Sequence, residues 1–176
     1  GGDHRVPPPA GQYLWDVDTH KKRKATSDIE RAVWSIAYSP DGKTMAASVA
    51  QGYVRVWSTE TGAVIASHPV AQLRPLAFSP DGKLLAIGEG KAPNKTESGK
   101  GSVRLLDTKS WKERITLDGH NHVVFAVAFA PDGQSLASAS QDGTTKLHGV
   151  PNLIAGRVIP AAKAVHRDDF TQLLSF

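Results

Sequence analysis

Seven histidines and no cysteine set the range of chemistry open to this chain of 176 residues. Without cysteine there is no disulfide, no thiolate metal site and no cysteine nucleophile. His120 and Asp142 are of the types that form an acid–base pair, but the remaining histidines, at 4, 20, 68, 122, 148 and 166, are scattered. His120 and His122 stand two apart with no third ligand at metal-site spacing. Asp168 and Asp169 are adjacent on a loop, so their carboxylates need not converge. No glycine-rich phosphate loop runs from a strand into a helix, and there is no Gly-x-Ser-x-Gly elbow. No cofactor, metal or catalytic residue is indicated, and the reading is of a chain that is not an enzyme.

Composition is that of a globular rather than a disordered chain. Apolar residues make up 40% and charged residues 22%, ordinary values for a globular protein. The net charge of +4 is a mild basic excess, compatible with acidic partners and weak as a sign of nucleic acid, which is not expected as a partner. No unbroken apolar run is long enough to span a membrane. The opening "GGDHRVPPPAG" lacks a Met, a basic segment and an apolar segment, so no signal peptide is visible and an internal piece of a longer chain is suggested. The compartment is not set by these residues; the cytoplasm is the default expectation.

Any functional groups must be positioned by a repeat. "Pro-Asp-Gly" recurs at Pro40, Pro80 and Pro131, with spacings of 40 and 51 residues. A polar insertion, "KAPNKTESGK", accounts for the longer interval, and without it the period returns to about forty. Each unit reads as four short strands. The first are Ala32 to Tyr38, Gln72 to Phe78 and Val123 to Phe129, with apolar residues alternating with small or polar ones. The turn follows: Pro presets φ, Asp favours the next position and Gly tolerates positive φ. Second strands are small and apolar ("TMAASV", "LLAIGE", "SLASAS"), as crowding between neighbouring sheets requires. Third strands alternate strongly ("YVRVWS", "SVRLLD", "TTKLHG"). The fourth are "AVIASH", "ERITLD" and, in the last unit, "LIAGRVI". One such sheet buries too little alone, and stacking closes the core.

The residues Leu14-Trp15-Asp16, Trp57, Asp107, Gly119-His120, the three Pro-Asp-Gly turns and "SASQDGT" with Asp142 resemble the WD-repeat β-propeller family, over nearly the whole chain from Gln12. The resemblance implies an all-β fold of four-stranded blades around a channel. It also implies a hydrogen-bonded network of His, Ser or Thr, Asp and Trp within each blade, which makes Trp15, Trp57, His120, Ser138 and Asp142 structural. No blade carries the full set. The last has His148 at the Trp position; the middle has Leu106 there and Lys100 at the Asp position; the first full blade keeps Trp57 but has Gln51 for Asp.

The expected count is about half a blade, three full four-stranded blades and one further inner strand. Residues 1–11 read as a partial strand or loop. Residues 12–176 form the propeller segment, with repeats near 12–30, 31–68, 69–119, 120–160 and a partial repeat over 161–176, where His166 answers His120 and Phe176 answers Phe129. A segment of a longer propeller is the first expectation. A homodimer in which one chain's last strand completes the other's first blade is the second, and a strained four-bladed ring the third.

In the resembled family, the residue one step into each first strand lies at the channel rim, on the face that most often binds partners. Here that column is Trp34, Arg74, Phe125 and Gln172. Trp, Arg and Phe are enriched at interfaces, and the alternative is that the aromatics pack between blades. The run "HKKRK" at 20–24 is expected in a turn between a third and a fourth strand, either meeting acidic groups or discouraging edge pairing. The insertion has no aromatic anchor and reads as a bland loop. The expected function is a non-catalytic scaffold that binds a protein or peptide through the rim and loops. The alternatives are a regulatory or catalytic module of a larger enzyme, and a structural repeat fragment with no partner of its own.

Overall fold

A computed structural model describes residues 14–15, 18–23, 32–50, 52–70, 75–91, 99–150 and 162–165. Among the described residues fourteen strands form four sheets, and in each sheet every strand pairs antiparallel with its neighbour in sequence. A two-stranded sheet holds β1 (Leu14–Trp15) and β2 (Lys22–Arg23). The first full blade comprises β3 (Val33–Tyr38), β4 (Thr44–Val49), β5 (Tyr53–Ser58) and β6 (Val64–Pro69). The second has β7 (Leu76–Phe78), β8 (Leu84–Lys91), β9 (Lys100–Asp107) and β10 (Glu113–His120). The third has β11 (Val124–Phe129), β12 (Ser135–Ser140), β13 (Thr145–Gly149) and β14 (Ala162–Val165).

The half-blade followed by three four-stranded blades matches the repeat reading. Three local placements differ or extend it. Lys22 and Arg23 of the basic run pair with Trp15 and Leu14, so they are part of a strand rather than of the turn before it. The strand that completes the third blade is Ala162–Val165, which pairs with β13. The expected strand over 153–159 and the further inner strand after 165 lie outside the described residues. Finally, the arms of the insertion hairpin are longer than expected, with pairing continuing to Lys91 opposite Lys100.

The Pro-Asp-Gly turns show why serine precedes two of them. Ser39 Oγ donates to Asp41 Oδ1 at 2.6 Å and accepts from the Thr44 amide at 3.0 Å, while the same carboxylate oxygen accepts from the Lys43 amide. Ser79 and Asp81 repeat this with 2.7 Å and with the Leu84 amide at 2.9 Å. Gly42 and Gly82 close the turns at φ of 68° and 70°, where a side chain is strained. The third turn has Ala130 in place of serine and keeps only the Asp132 carboxylate bond to the Gln134 amide.

The core lies between the blades. Ala46, Val54 and Val56 of the first meet Leu76, Leu85, Ile87 and Leu106 of the second. Leu84, Ala86, Val103, Leu105 and Leu117 of the second meet Val124, Leu136 and Val150 of the third. Met45, Ala47, Val49 and Trp57 form a third cluster on the opposite face of the first blade. Strands β4 and β8 are therefore buried on both faces, which is why they carry small or continuous apolar residues. β12 buries alternate residues only, because one of its faces meets the second blade.

Ser79 is 2% exposed and bonds both ends of its turn, so Ser79→Ala removes two bonds and leaves the Leu84 amide without its side-chain partner. The expected loss is about 1–2 kcal/mol in urea unfolding. The equivalent change at Ala130, Ala130→Ser, should instead add stability.

Candidate functional site

In the third blade the polar residues form one continuous chain. His120, the last residue of β10, places Nδ1 3.1 Å from Asp142 Oδ2 and Nε2 2.9 Å from Ser138 Oγ. Ser138 Oγ in turn lies 3.3 Å from His148 Nε2. Asp142 also accepts the Asn121 amide at 2.8 Å, the Thr144 amide at 2.9 Å and the Thr144 hydroxyl at 2.6 Å. Burial pushes the Asp142 carboxyl up, but the hydrogen bonds from Thr144, Asn121 and His120 outweigh it and hold the group well below the usual carboxylate range. An ionised Asp142 only accepts, so His120 Nδ1 carries hydrogen and His120 Nε2 accepts from Ser138. The single Ser138 hydrogen is then used, and His148 Nε2 must be the donor to Ser138 Oγ.

Ser138, His120 and Asp142 thus stand in the order of a hydrolytic triad. Ser138 is 1% exposed and held between two imidazoles, so no carbonyl group can approach its oxygen. The chain braces the blade. His148 occupies the Trp position and supplies the N–H that an indole would supply.

The other two blades fill the same register differently. β12 pairs Leu136 with His148 and Ser138 with Lys146, and the corresponding β4 pairs are Met45 with Trp57 and Ala47 with Arg55. The serine is therefore Ala47 in the first blade, and the buried Trp57 Nε1 has no partner among the described residues. In the second blade Leu85 pairs with Leu106 and Ile87 with Arg104, so the serine position is Ile87 and the Trp position is Leu106, both apolar. The sequence reading identified the Trp and Asp replacements but missed the loss of serine, because strand register was needed to find it. Thr144 was also missed, although "SASQDGT" contains it. Trp15 lies in β1, and its side chain is outside the described residues.

The turn and loop at the ends of this chain are also bonded to each other. The Gln141 amide donates to Val123 O at 3.0 Å and Ser140 Oγ donates to His122 O at 3.0 Å, binding the β12–β13 turn to the β10–β11 loop. Two glycines of the second blade let that loop approach closely. A Cβ on Gly101 would lie 1.9 Å from His122 O, and one on Gly90 would lie 2.6 Å from Val123 Cα.

Trp34, Ser35, Pro75, Val123, Val124, Phe125 and Gln141 line a cavity of about 350 Å³. Trp34 is 57% and Phe125 61% exposed, so neither ring is packed between blades. Two members of the aligned column thus meet at one cavity. Arg74 and Gln172 lie outside the described residues, though Pro75, which follows Arg74, is in the lining. Among the described residues no group of three His, Asp or Glu could hold a metal ion.

The profile of the WD domain, G-beta repeat, matches residues 111–148, and that of the anaphase-promoting complex subunit 4 WD40 domain matches residues 9–74. The chain belongs to the WD-repeat family. It is 34% identical over 139 residues to the WD repeat-containing protein SL1-17 of Schistosoma mansoni, covering 78% of this chain and 43% of that protein. It is 34% identical over 120 residues to the target of rapamycin complex subunit wat1 of Schizosaccharomyces pombe, covering 64% of this chain and 34% of that protein. The solved structure of U3-55K superposes with a TM-score of 0.63 at 21% identity, over 78% of this chain and 40% of that one, a likeness of fold. The WD-repeat chain thus spans less than half the length of these relatives. WD-repeat proteins are generally non-catalytic scaffolds.

The unpartnered Trp57 gives a direct check on the register. Ala47→Ser places an acceptor where Ser138 stands in the third blade. It should raise stability by about 1 kcal/mol in urea unfolding, and the gain should vanish in Trp57→Phe.

Proposed function

We propose that this WD-repeat segment is part of a protein-interaction scaffold and that the cavity between Trp34 and Phe125 receives a peptide segment of a partner protein. The observation that carries this reading is the meeting of two exposed aromatic rings from different blades at one cavity. Large aromatic side chains that stay exposed beside a concave surface supply much binding area at small entropic cost. Pro75 and the Val123–Val124 pair give the cavity apolar walls, and Gln141 offers an amide that can donate and accept. Arg74 precedes Pro75 in the sequence, and arginine is a residue type suited to carboxylates and carbonyls of such a partner. The relatives support a protein partner in general terms, since one is a subunit of a named complex.

A random peptide library selected on the parent protein supplies the probe. Affinity of the recovered peptides should fall at least about tenfold, the equivalent of about 1.4 kcal/mol, in Trp34→Ala with Phe125→Ala and in Trp34→Ala with Arg74→Glu. Circular dichroism should stay unchanged, because both aromatic rings are exposed. Peptides that bind the parent and both double variants equally would place the site elsewhere.

A further inference from the structure

We propose that the chain His148–Ser138–His120–Asp142 makes the rim cavity sensitive to pH, because acid breaks the chain and releases the loop and turn that form the cavity's Phe125 side. The proposal rests on the cavity being a binding site and adds a means of regulating it.

The geometry allows one neutral arrangement. His148 donates to Ser138, Ser138 donates to His120, and His120 donates to Asp142. A proton added at His120 Nε2 turns an acceptor into a donor. Two N–H groups then face one hydroxyl oxygen, and the Ser138 hydrogen loses its acceptor in a site where Ser138 is 1% exposed. A proton on His148 adds a second cation beside His120. An indole at position 148 would take no proton, so this chain's replacement of Trp by His adds a second proton site beside His120.

The surroundings offer little relief. The charged groups facing the rings are Asp142, already hydrogen-bonded on both oxygens, and Lys146, whose Nζ donates to Gly119 O. His122 on the same loop accepts the Val123 amide on Nδ1. The second blade brings apolar Leu84, Ala86, Val103, Leu105 and Leu117 to the adjoining core and the bare backbone of Gly101 against His120. Its charged residues near this end, Lys91, Lys100 and Asp118, are exposed.

Both rings are held below the ordinary histidine value. Burial acts first on each. At His120 it outweighs the hydrogen bond and charge of Asp142, and at His148 it is reinforced by His120 and Lys146. With folded values depressed, the stabilisation is complete above the ordinary value of 6.5 and is lost as pH falls below it through the folded values. The connection to the cavity is short. His120 is followed by Asn121, whose amide binds Asp142, and the Gln141 amide binds Val123 O, so the residues released line the cavity themselves.

The test is an NMR titration of the whole 176-residue protein from about pH 7.5 to about pH 5.5. The ring signals of His120 and His148 should titrate together, below the ordinary histidine value. The amide signals of Phe125 and Gln141 should shift or broaden in step with them. His148→Trp should move that amide transition down by at least about one pH unit. The proposal fails if either ring titrates at or above the ordinary value, if the two amides stay still while the rings titrate, or if His148→Trp leaves the transition in place. Should that variant not fold, the ring and amide titrations of the parent decide alone. His68 also titrates below its ordinary value, but it sits in β6 of the first blade and should not move these amides. No partner is used, so a failure here leaves the peptide experiment standing, and a failure there leaves this titration standing.

Discussion

A four-stranded sheet of this size has two faces and no interior, so everything in this molecule depends on one blade covering the next. The fully buried side chains of the second blade divide between two clusters: Leu85, Ile87 and Leu106 turn toward the first blade, while Val103 and Leu105 turn toward the third. Central strands therefore cannot alternate apolar with polar in the manner of a half-exposed sheet, and they carry alanine, serine or unbroken aliphatic residues instead. Polar residues are pushed to the outermost strands and to the loops at the two ends, the places left for recognition.

Within that frame the three blades answer one steric problem in three ways. Where strand two meets strand three near the core, the third blade uses a hydrogen-bonded chain and the second the apolar side chains of Ile87 and Leu106. The first keeps an indole whose N–H goes without a partner among the described residues. An apolar filling tolerates small shifts because it has no direction, whereas a hydrogen-bonded chain fixes the loops at its ends. The third blade, with the directional solution, is also the one whose loop and turn support the cavity wall.

The strands were legible because a strand's period of two and the Pro-Asp-Gly turns are local signals repeated three times. β4 and β12 fall where their small apolar residues placed them, and β5 where its alternation did. The last strand of the third blade was not legible. "LIAGRVI" is more apolar than the "AKAV" that pairs with β13, and pairing, unlike apolarity, depends on register. Lys22 and Arg23 were misplaced for a related reason, since charge suggested a turn and an outer strand accepts lysine readily. Of the candidate site, the aligned column predicted a shared position for Trp34 and Phe125. That a void lies between them, walled by Pro75 and Gln141, follows from packing and left no trace in composition. The missing serine at Ala47 was hidden until the cross-strand partners of Trp57 and His148 could be compared.

The close approach at Gly90 and Gly101 has a mechanical meaning. Where main chain lies directly on main chain, with no side chain between as cushion, two blades cannot slide past each other without a collision of peptide groups. The second and third blades are keyed together at their upper ends. Among the described residues, the first and second blades pack through core side chains, which can repack. Bending of the arc under load should therefore concentrate at the earlier junction, so that Trp34 moves relative to a Phe125 that stays fixed to its own support.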